Sequence, residues 1–252
     1  MTPPETSLRL NRFLARCGFG SRRAVEELIL AGRVAIGGET VRELATRVDP
    51  DHDRVTVDGL LAELPAAYRV YAFHKPLGVV STLKSQKGQP SLDAYRLRAD
   101  IPERFVPVGR LDSETTGLLL WTDDGDLSQA LCRPATGIWK TYEVELDGVP
   151  DRDQLRRLTR GDIRLDGRAC RPCRLTCRGE VSLRHWTMEL HEGRKRQIRR
   201  MFAAVDLKVT GLHRVAVGPI RLGKLRPGDF RRLSGDEERA LRRLVAGTGE
   251  RT

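Results

Sequence analysis

The sequence predicts an α+β protein: a small helix-and-hairpin module at the N-terminus, then a larger domain on a mixed, largely antiparallel sheet with flanking helices. Three observations carry this. Helical and strand-like apolar patterns alternate irregularly, not as a βαβ repeat. Residues 7–58 hold a self-contained set of short elements, near the lower size limit for independent folding. The whole chain, at 252 residues, is long enough for two domains.

The elements follow in order. Leu10, Phe13, Leu14 and Cys17 fall at i, i+3, i+4 and i+7, one face of a helix that Gly18 and Gly20 end. Ser21 can cap a second helix, in which Val25, Leu28 and Ile29 repeat the spacing and which Gly32 closes. Val34 and Ile36 alternate, Gly37-Gly38 turns the chain, and Val41 starts the return strand. A last short strand, Arg54 to Val57, ends at Asp58-Gly59. Residues 59–68 read as a linker whose leucines could pack.

The larger domain is expected over 69–247. Its strand-like runs are 69–73, 105–108, 117–122, 141–146 and 182–190. Helical patterns cover 126–132, with Asp126 as cap, 151–160 after Pro150, and 196–205. Ser234 with Glu237 forms a capping box ahead of Leu241, Leu244 and Val245, so a closing helix is expected to end near Gly247.

Lys plus Arg number 45 against 34 Asp plus Glu, a formal net charge of +11. Such a surplus suits a polyanionic partner, although an Arg-rich soluble protein would share it. No apolar run is long enough to span a bilayer, and MTPPETSLRLNRF lacks a secretory apolar stretch. Five Cys without framework spacing fit a reducing compartment. A cytoplasmic monomer is expected, with no membrane association.

Placement sharpens the charge argument. Arg9, Arg12 and Arg16 lie off the apolar face of the first helix, Arg22 and Arg23 open the second, and Arg33 follows it. No Asp or Glu occurs between Glu5 and Glu26, so no acidic residue stands among the first five of these guanidiniums in the sequence. Planar forks of this kind suit phosphates. A nucleic-acid contact surface is the favoured reading; an ordinary solvated face is the alternative.

Three stretches carry chemistry. In PVGRLDSETTGLLLWT (107–122), apolar runs flank a polar tip with Arg110, Asp112 and Glu114, which suits a rigidly presented carboxylate or a turn Asp. In EGRKRQIRRMF (192–202), Ile198, Met201, Phe202 and Val205 share a helical face. Arg196 and Arg200 point away from it, and Arg199 flanks it. A flanking, partly buried Arg199 needs a carboxylate partner unless its stem snorkels; Asp112 is the expected partner. In KTYEV (140–144), alternation puts Lys140 and Tyr142 on one strand face, where Tyr142 could pair across strands or stack on a base.

Other motifs carry less. Cys170, Cys173 and Cys177 with His185 lack the spacing of a second zinc pair. Asp123, Asp124 and Asp126 do not make a calcium loop, because Pro134 stands where the closing Glu belongs. No phosphate-binding or dinucleotide fingerprint is present. No metal and no cofactor are expected. Lys84, Lys87 and Gly88 read as a polar loop, touching RNA or merely solvated.

Residues 8–57, with LRLNRFLARCGFGSRRAVEELILAGRVAIGGETV, resemble the S4 RNA-binding domain, although Asn11 stands where many such domains carry Asp. This implies that the helix pair, through Arg9, Arg12, Arg16, Ser21, Arg22, Arg23 and Arg33, binds structured RNA by shape and phosphates. With HKPLGVVST (74–82), GRLDSETTGLLLWTDDGDL, KTY and EGRKRQIRRM in this order, nearly the whole chain resembles the RsuA/RluB-type pseudouridine synthases.

The resemblance implies isomerisation of a uridine to pseudouridine in ribosomal RNA, free or in an assembly intermediate. It makes Asp112 the catalytic carboxylate, acting at C1′ or C2′, with Tyr142 against the uracil and Arg199 beside Asp112. Arg110, Lys140, Arg196 and Arg200 would bind substrate; Arg110 would fill the vacated space or clamp a phosphate. The large ribosomal subunit is favoured over the small one. The rival class is a non-catalytic S4-type ribosomal-RNA-binding or assembly factor; an RNA methyltransferase is disfavoured by the lack of a Gly-rich cofactor loop.

Overall fold

The computed structural model describes residues 7–83, 90–180 and 182–247. Residues 1–6 and the polar loop at Lys84, Lys87 and Gly88 lie outside them. The chain divides into two compact units, one holding residues 1–68 with 102–106 and 123–125, the other the remainder.

The first unit begins with β1 (Leu8–Arg9), α1 (Leu10–Arg16) and α2 (Arg22–Leu30). It continues through β2 (Val34–Ile36), β3 (Glu39–Val41), β4 (Arg47–Val48), β5 (Val55–Val57) and β6 (Leu60–Leu61). The expected caps and stripes form. Ser21 Oγ accepts from the Ala24 amide at 3.2 Å. Leu10, Phe13, Leu14, Val25 and Ile29 close on Val34, Val55 and Val57 of an antiparallel sheet ordered β3-β2-β5-β6.

The segment expected as a linker begins as a strand. Asp58 and Gly59 both take positive φ, 49° and 81°, the two-residue hairpin geometry that an Asp-Gly pair favours. The chain therefore returns as β6 along β5, and Ala62 joins the core.

The second unit contains β7 (Val70–Lys75), α3 (Leu92–Arg98), β8 (Val106–Pro107), β9 (Thr116–Thr122), α4 (Gly125–Cys132) and β10 (Lys140–Leu146). Then come α5 (Arg152–Arg160), β11 (Arg164–Leu165), β12 (Arg168–Ala169), β13 (Arg174–Cys177), β14 (His185–Leu190) and α6 (Gln197–Ala203). It ends with β15 (Val209–Val217), β16 (Ile220–Arg221), β17 (Phe230–Arg232) and α7 (Gly235–Ala246). A nine-stranded sheet runs β13-β14-β10-β15-β9-β7-β17, with β16 beside β15 and β8 beside β9. The β9–β15 pair is parallel; β7, β10, β13, β14 and β17 join their neighbours antiparallel. The expected mixed, largely antiparallel sheet is therefore present.

Apolar packing covers both faces of β7 and β9, which explains their near-continuous apolar runs. On one face, Val70, Ala72, Leu118 and Leu120 pack with Leu127 and Leu131 of α4 and Leu241 of α7. On the other, Phe73 stacks on Phe230 at 4.4 Å between centroids and meets Trp121 edge-on at 6.3 Å. The α7 capping box forms between Ser234 and Glu237. Asp126 lies inside the first turn of α4 instead of capping it, because that helix starts at Gly125.

Gly117 fixes the sheet's centre. Its φ is +106°, and a Cβ there would lie 2.3 Å from the Arg214 carbonyl oxygen of β15. The two backbones meet only because no side chain separates them. This close parallel contact anchors the loop preceding β9, which carries Asp112.

Candidate active site

A cleft of about 740 Å³ opens in the second unit. The loop 109–115 forms one wall, and β10 presents Lys140 and Tyr142 to it, as alternation along that strand dictates. Asp112 is half-buried, Tyr142 is buried and Arg110 is exposed at the rim. Arg110, Asp112, Lys140, Tyr142 and Arg196 all line this one cleft.

The Asp112 loop is held from beneath. Its turn closes through the Thr115 amide, which donates to the Asp112 carbonyl at 3.0 Å. Lys75 ends β7 with no solvent exposure, and its ammonium donates to the carbonyls of Thr115 at 2.8 Å and Ser113 at 3.4 Å. The Gly78 amide donates to the same Ser113 carbonyl at 2.9 Å. Ser81 Oγ donates to the Leu111 carbonyl at 2.6 Å and accepts from its amide at 3.1 Å. The 74–82 stretch thus staples the loop on both sides of Asp112. Burial pushes the Lys75 ammonium down to about 8, against the pull of the Asp112 charge.

Among the described residues, Asp112 and Arg199 do not form the expected ion pair; Arg199 pairs with Glu114. The Arg199 guanidinium donates to the carbonyls of Val209 at 2.8 Å and Glu114 at 2.9 Å, with the Glu114 carboxylate at 3.5 Å. The turn at 112–115 is the physical reason. It sends Asp112 to the cleft and Glu114 toward α6, so the flanking arginine meets the carboxylate two residues on. Arg196, the residue that precedes α6, with φ +51°, adds a 2.7 Å bond to the same Glu114 carboxylate. These two cations hold the Glu114 carboxyl below its usual range, Arg196 contributing most.

The remaining expected substrate residue is elsewhere. Arg200 does not line the cleft; it makes a two-pronged bond to Asp166 at 2.7 and 3.0 Å. In the first unit, Arg9, Arg22 and Arg23 are exposed, and Arg12 and Arg16 half-buried. Arg16 lies over the Tyr68 ring at 6.0 Å. Arg33 does have a partner: its guanidinium binds Asp58 in two-pronged fashion at 2.5 to 3.1 Å. Sequence proximity hid this pair, because the β5–β6 turn brings Asp58 to it. Ser21 spends its hydroxyl oxygen on the helix cap.

Two residues escaped the sequence reading. Lys75 had no local signal, since its partners are backbone carbonyls 40 residues on. Arg214 had one: alternation along β15 puts it between Leu212 and Ala216 on a buried face, where an arginine is out of place. Cys170 and Cys173 are buried and Cys177 half-buried. Among the described residues, no cluster of His, Cys, Asp or Glu could hold a metal ion.

Residues 69–204, which include the whole Asp112 loop, β10 and α6, match the family described as RNA pseudouridylate synthase. The chain belongs to this family. It is therefore an isomerase of RNA uridine, and residues 8–55 are its S4 domain. A synthase of Aquifex aeolicus named "Uncharacterized RNA pseudouridine synthase" is 39% identical over 242 residues, 94% of this chain and 95% of that one. The "Ribosomal large subunit pseudouridine synthase B" of Bacillus subtilis is 38% identical, covering 94% of this chain and 96% of its own. A solved pseudouridylate synthase superposes with a TM-score of 0.66 at 29% identity, covering 93% of this synthase and 99% of that structure. No helix among the described residues is long and apolar enough to cross a membrane.

Proposed function

We propose that this synthase converts one uridine of large-subunit ribosomal RNA to pseudouridine, with Asp112 as its catalytic carboxylate. The observation that carries the assignment is the loop itself. Five hydrogen bonds, with Lys75, Gly78 and Ser81, hold the backbone on both sides of a half-buried carboxylate that lines the same cleft as Tyr142. Preorganised placement of this kind is what a reacting group requires. The names of the Bacillus subtilis relative and of its Yersinia pestis and Salmonella typhi counterparts support the large subunit over the small one.

In this reading the target uridine leaves its stack, at a cost of a few kcal/mol. Exposed Arg110, at the rim, fills the vacated space or clamps a phosphate. Tyr142 stacks on the extruded uracil. Asp112 attacks C1′, forming an ester bond that breaks when C5 joins C1′, or it removes the C2′ proton and returns it to C2′ as C5 joins C1′; on either route the N1–C1′ bond breaks and the ring turns. The C5 proton then leaves and N1 gains one, so the change is redox-neutral. Lys140 and Arg196 serve the substrate from the cleft walls. Arg199 is a positioning residue that acts through Glu114. Arg200, paired with Asp166, has a secondary part at most.

The division of labour follows the charge. Residues 7–58 bind folded RNA through exposed Arg9, Arg22 and Arg23, and residues 69–247 carry the chemistry, with 59–68 joining them. The protein acts as a cytoplasmic monomer on ribosomal RNA or an assembly intermediate. The test is mapping of pseudouridine in ribosomal RNA from cells with and without this protein. Loss of one large-subunit site is expected; loss of a small-subunit site, or of none, overturns the assignment.

A further inference from the structure

Arg214 is the exception among the guanidiniums of the cleft. It is only 5% exposed, yet it lines the cleft wall. Its Nε donates to the Leu118 carbonyl at 2.7 Å, which fixes the plane of the group. Its two Nη atoms have no acceptor among the described residues, and neither is sealed from solvent. A buried guanidinium ordinarily has a carboxylate partner, because an unpaired charge in a poorly solvated place is costly.

The cleft offers Arg214 no such partner. Among the described residues, its wall carries two carboxylates, Asp112 and Glu192. Glu192 is engaged by Gln197, by the Arg171 amide at 3.0 Å and by Arg194 at 3.5 Å. Asp112 makes no ion pair with Arg214 among the described residues. A second cation stands beside it instead: Lys140, half-buried on the neighbouring strand, two residues before Tyr142, which Arg214 faces across the sheet. Among the described residues, the Lys140 ammonium donates only to the Ile138 carbonyl, at 3.1 Å. Burial first, and the Arg214 charge second, push that ammonium down from its usual range. Two neighbouring cations facing one cleft without a carboxylate between them make an anion site.

We infer that Arg214 and Lys140 form a phosphate subsite that holds the phosphodiester of the nucleotide whose base enters the cleft beside Tyr142. The planar fork of Arg214 gives a two-pronged grip, and Lys140 adds a point charge. Bound phosphate removes the mutual repulsion of the two cations. The subsite rests on reading the cleft as a nucleotide site, and it adds an anchor that sets how deeply the sugar sits relative to Asp112.

The test uses full-length protein carrying Asp112→Asn, so that binding is measured apart from turnover. Uridine, uridine 5′-monophosphate and uridine 3′-monophosphate are titrated by calorimetry. One monophosphate is expected to bind about tenfold tighter than uridine, as a charge-assisted contact implies. That advantage should fall severalfold in added Lys140→Met and vanish in added Arg214→Met, while Arg214→Lys keeps part of it. Arg178→Met, which removes an arginine paired with Glu143 elsewhere, should leave it unchanged. Should Arg214→Met fail to fold, the nucleoside–nucleotide comparison and the Lys140→Met variant still decide. Equal affinity for uridine and both monophosphates overturns the subsite and leaves the synthase assignment standing. So does an advantage that persists in folded Arg214→Met protein.

Discussion

The Lys75 ammonium donates to the Thr115 carbonyl at 2.8 Å from a position with no solvent exposure. A charge is thus buried beneath the Asp112 loop to hold the backbone carbonyls of Ser113 and Thr115. Replacing Lys75 with Met removes the donors while keeping the volume. Stability should change by no more than about 2 kcal/mol, since loss of a buried charge offsets loss of its bonds. Turnover should fall about tenfold or more, because the carboxylate loses its fixed position. Denaturant melts and single-turnover rates separate the two effects; unchanged single-turnover rates contradict the positioning role.

The same lysine gives a pH signature. Its ammonium lies at about 8 in the fold against an ordinary 10.5. Between these values the unfolded chain holds the proton and the folded one does not, so stability rises with pH across that window. Below pH 8 the penalty of the buried charge is fully present. The stability difference between wild type and Lys75→Met should therefore shift by about 3 kcal/mol in favour of wild type from pH 8 to 10.5. A flat difference over this range contradicts the buried-ammonium account.

Glu114 links Arg199 and Arg196 to the Asp112 loop. The carboxylate is exposed, so solvent screens its pair with Arg199 and the pair adds little to stability. Glu114→Ala and Arg199→Ala should be non-additive in stability, and Asp112→Ala should be additive with Arg199→Ala, in denaturant melts of the single and double variants. Coupling of Arg199 to Asp112 instead of Glu114 would restore the pairing expected from the sequence.

Gly117→Ala should be among the most damaging single substitutions. The new methyl group meets Arg214 backbone at 2.3 Å, and the φ of +106° is strained for alanine. A loss of about 4 kcal/mol or more, or insoluble protein, is expected. A thermal midpoint near wild type argues against the close β9–β15 approach.

In the S4 domain, exposed Arg22 and Arg23 differ from Arg33, whose guanidinium is engaged by Asp58. The double substitution of Arg22 and Arg23 by Ala should weaken RNA binding and lower the salt slope by about 1–2. Arg33→Ala should lower it by less. Equal effects in a filter-binding salt titration contradict the distinction.

Local patterns made much of this architecture legible. Helical stripes such as Leu10-Phe13-Leu14, the Ser21 cap and the Ser234–Glu237 box depend on neighbours in sequence, and each formed as read. The strand β15 went unread because Gly211, His213 and Arg214 interrupt its apolar pattern, although it is central to the sheet. The hairpin at Asp58-Gly59 is legible in its residue types, but the same pair also marks the end of an element, so the return strand does not follow from it alone. The motifs located the cleft side chains Asp112, Tyr142 and Lys140. The partner of Arg199, the staple at Lys75 and the open cation at Arg214 depend on contacts between distant segments, which spacing does not encode.

The most direct measurement is tritium release from C5-labelled uridine in protein-free or immature ribosomal RNA, with wild type and Asp112→Asn compared under single turnover. The account predicts release by wild type, none by Asp112→Asn, and RNA affinity within about twofold between them, since one half-buried carboxylate adds little to a phosphate-dominated interface. Undiminished release by Asp112→Asn would contradict the assignment of this carboxylate. Absence of release by wild-type protein on every ribosomal RNA form would contradict the proposed substrate.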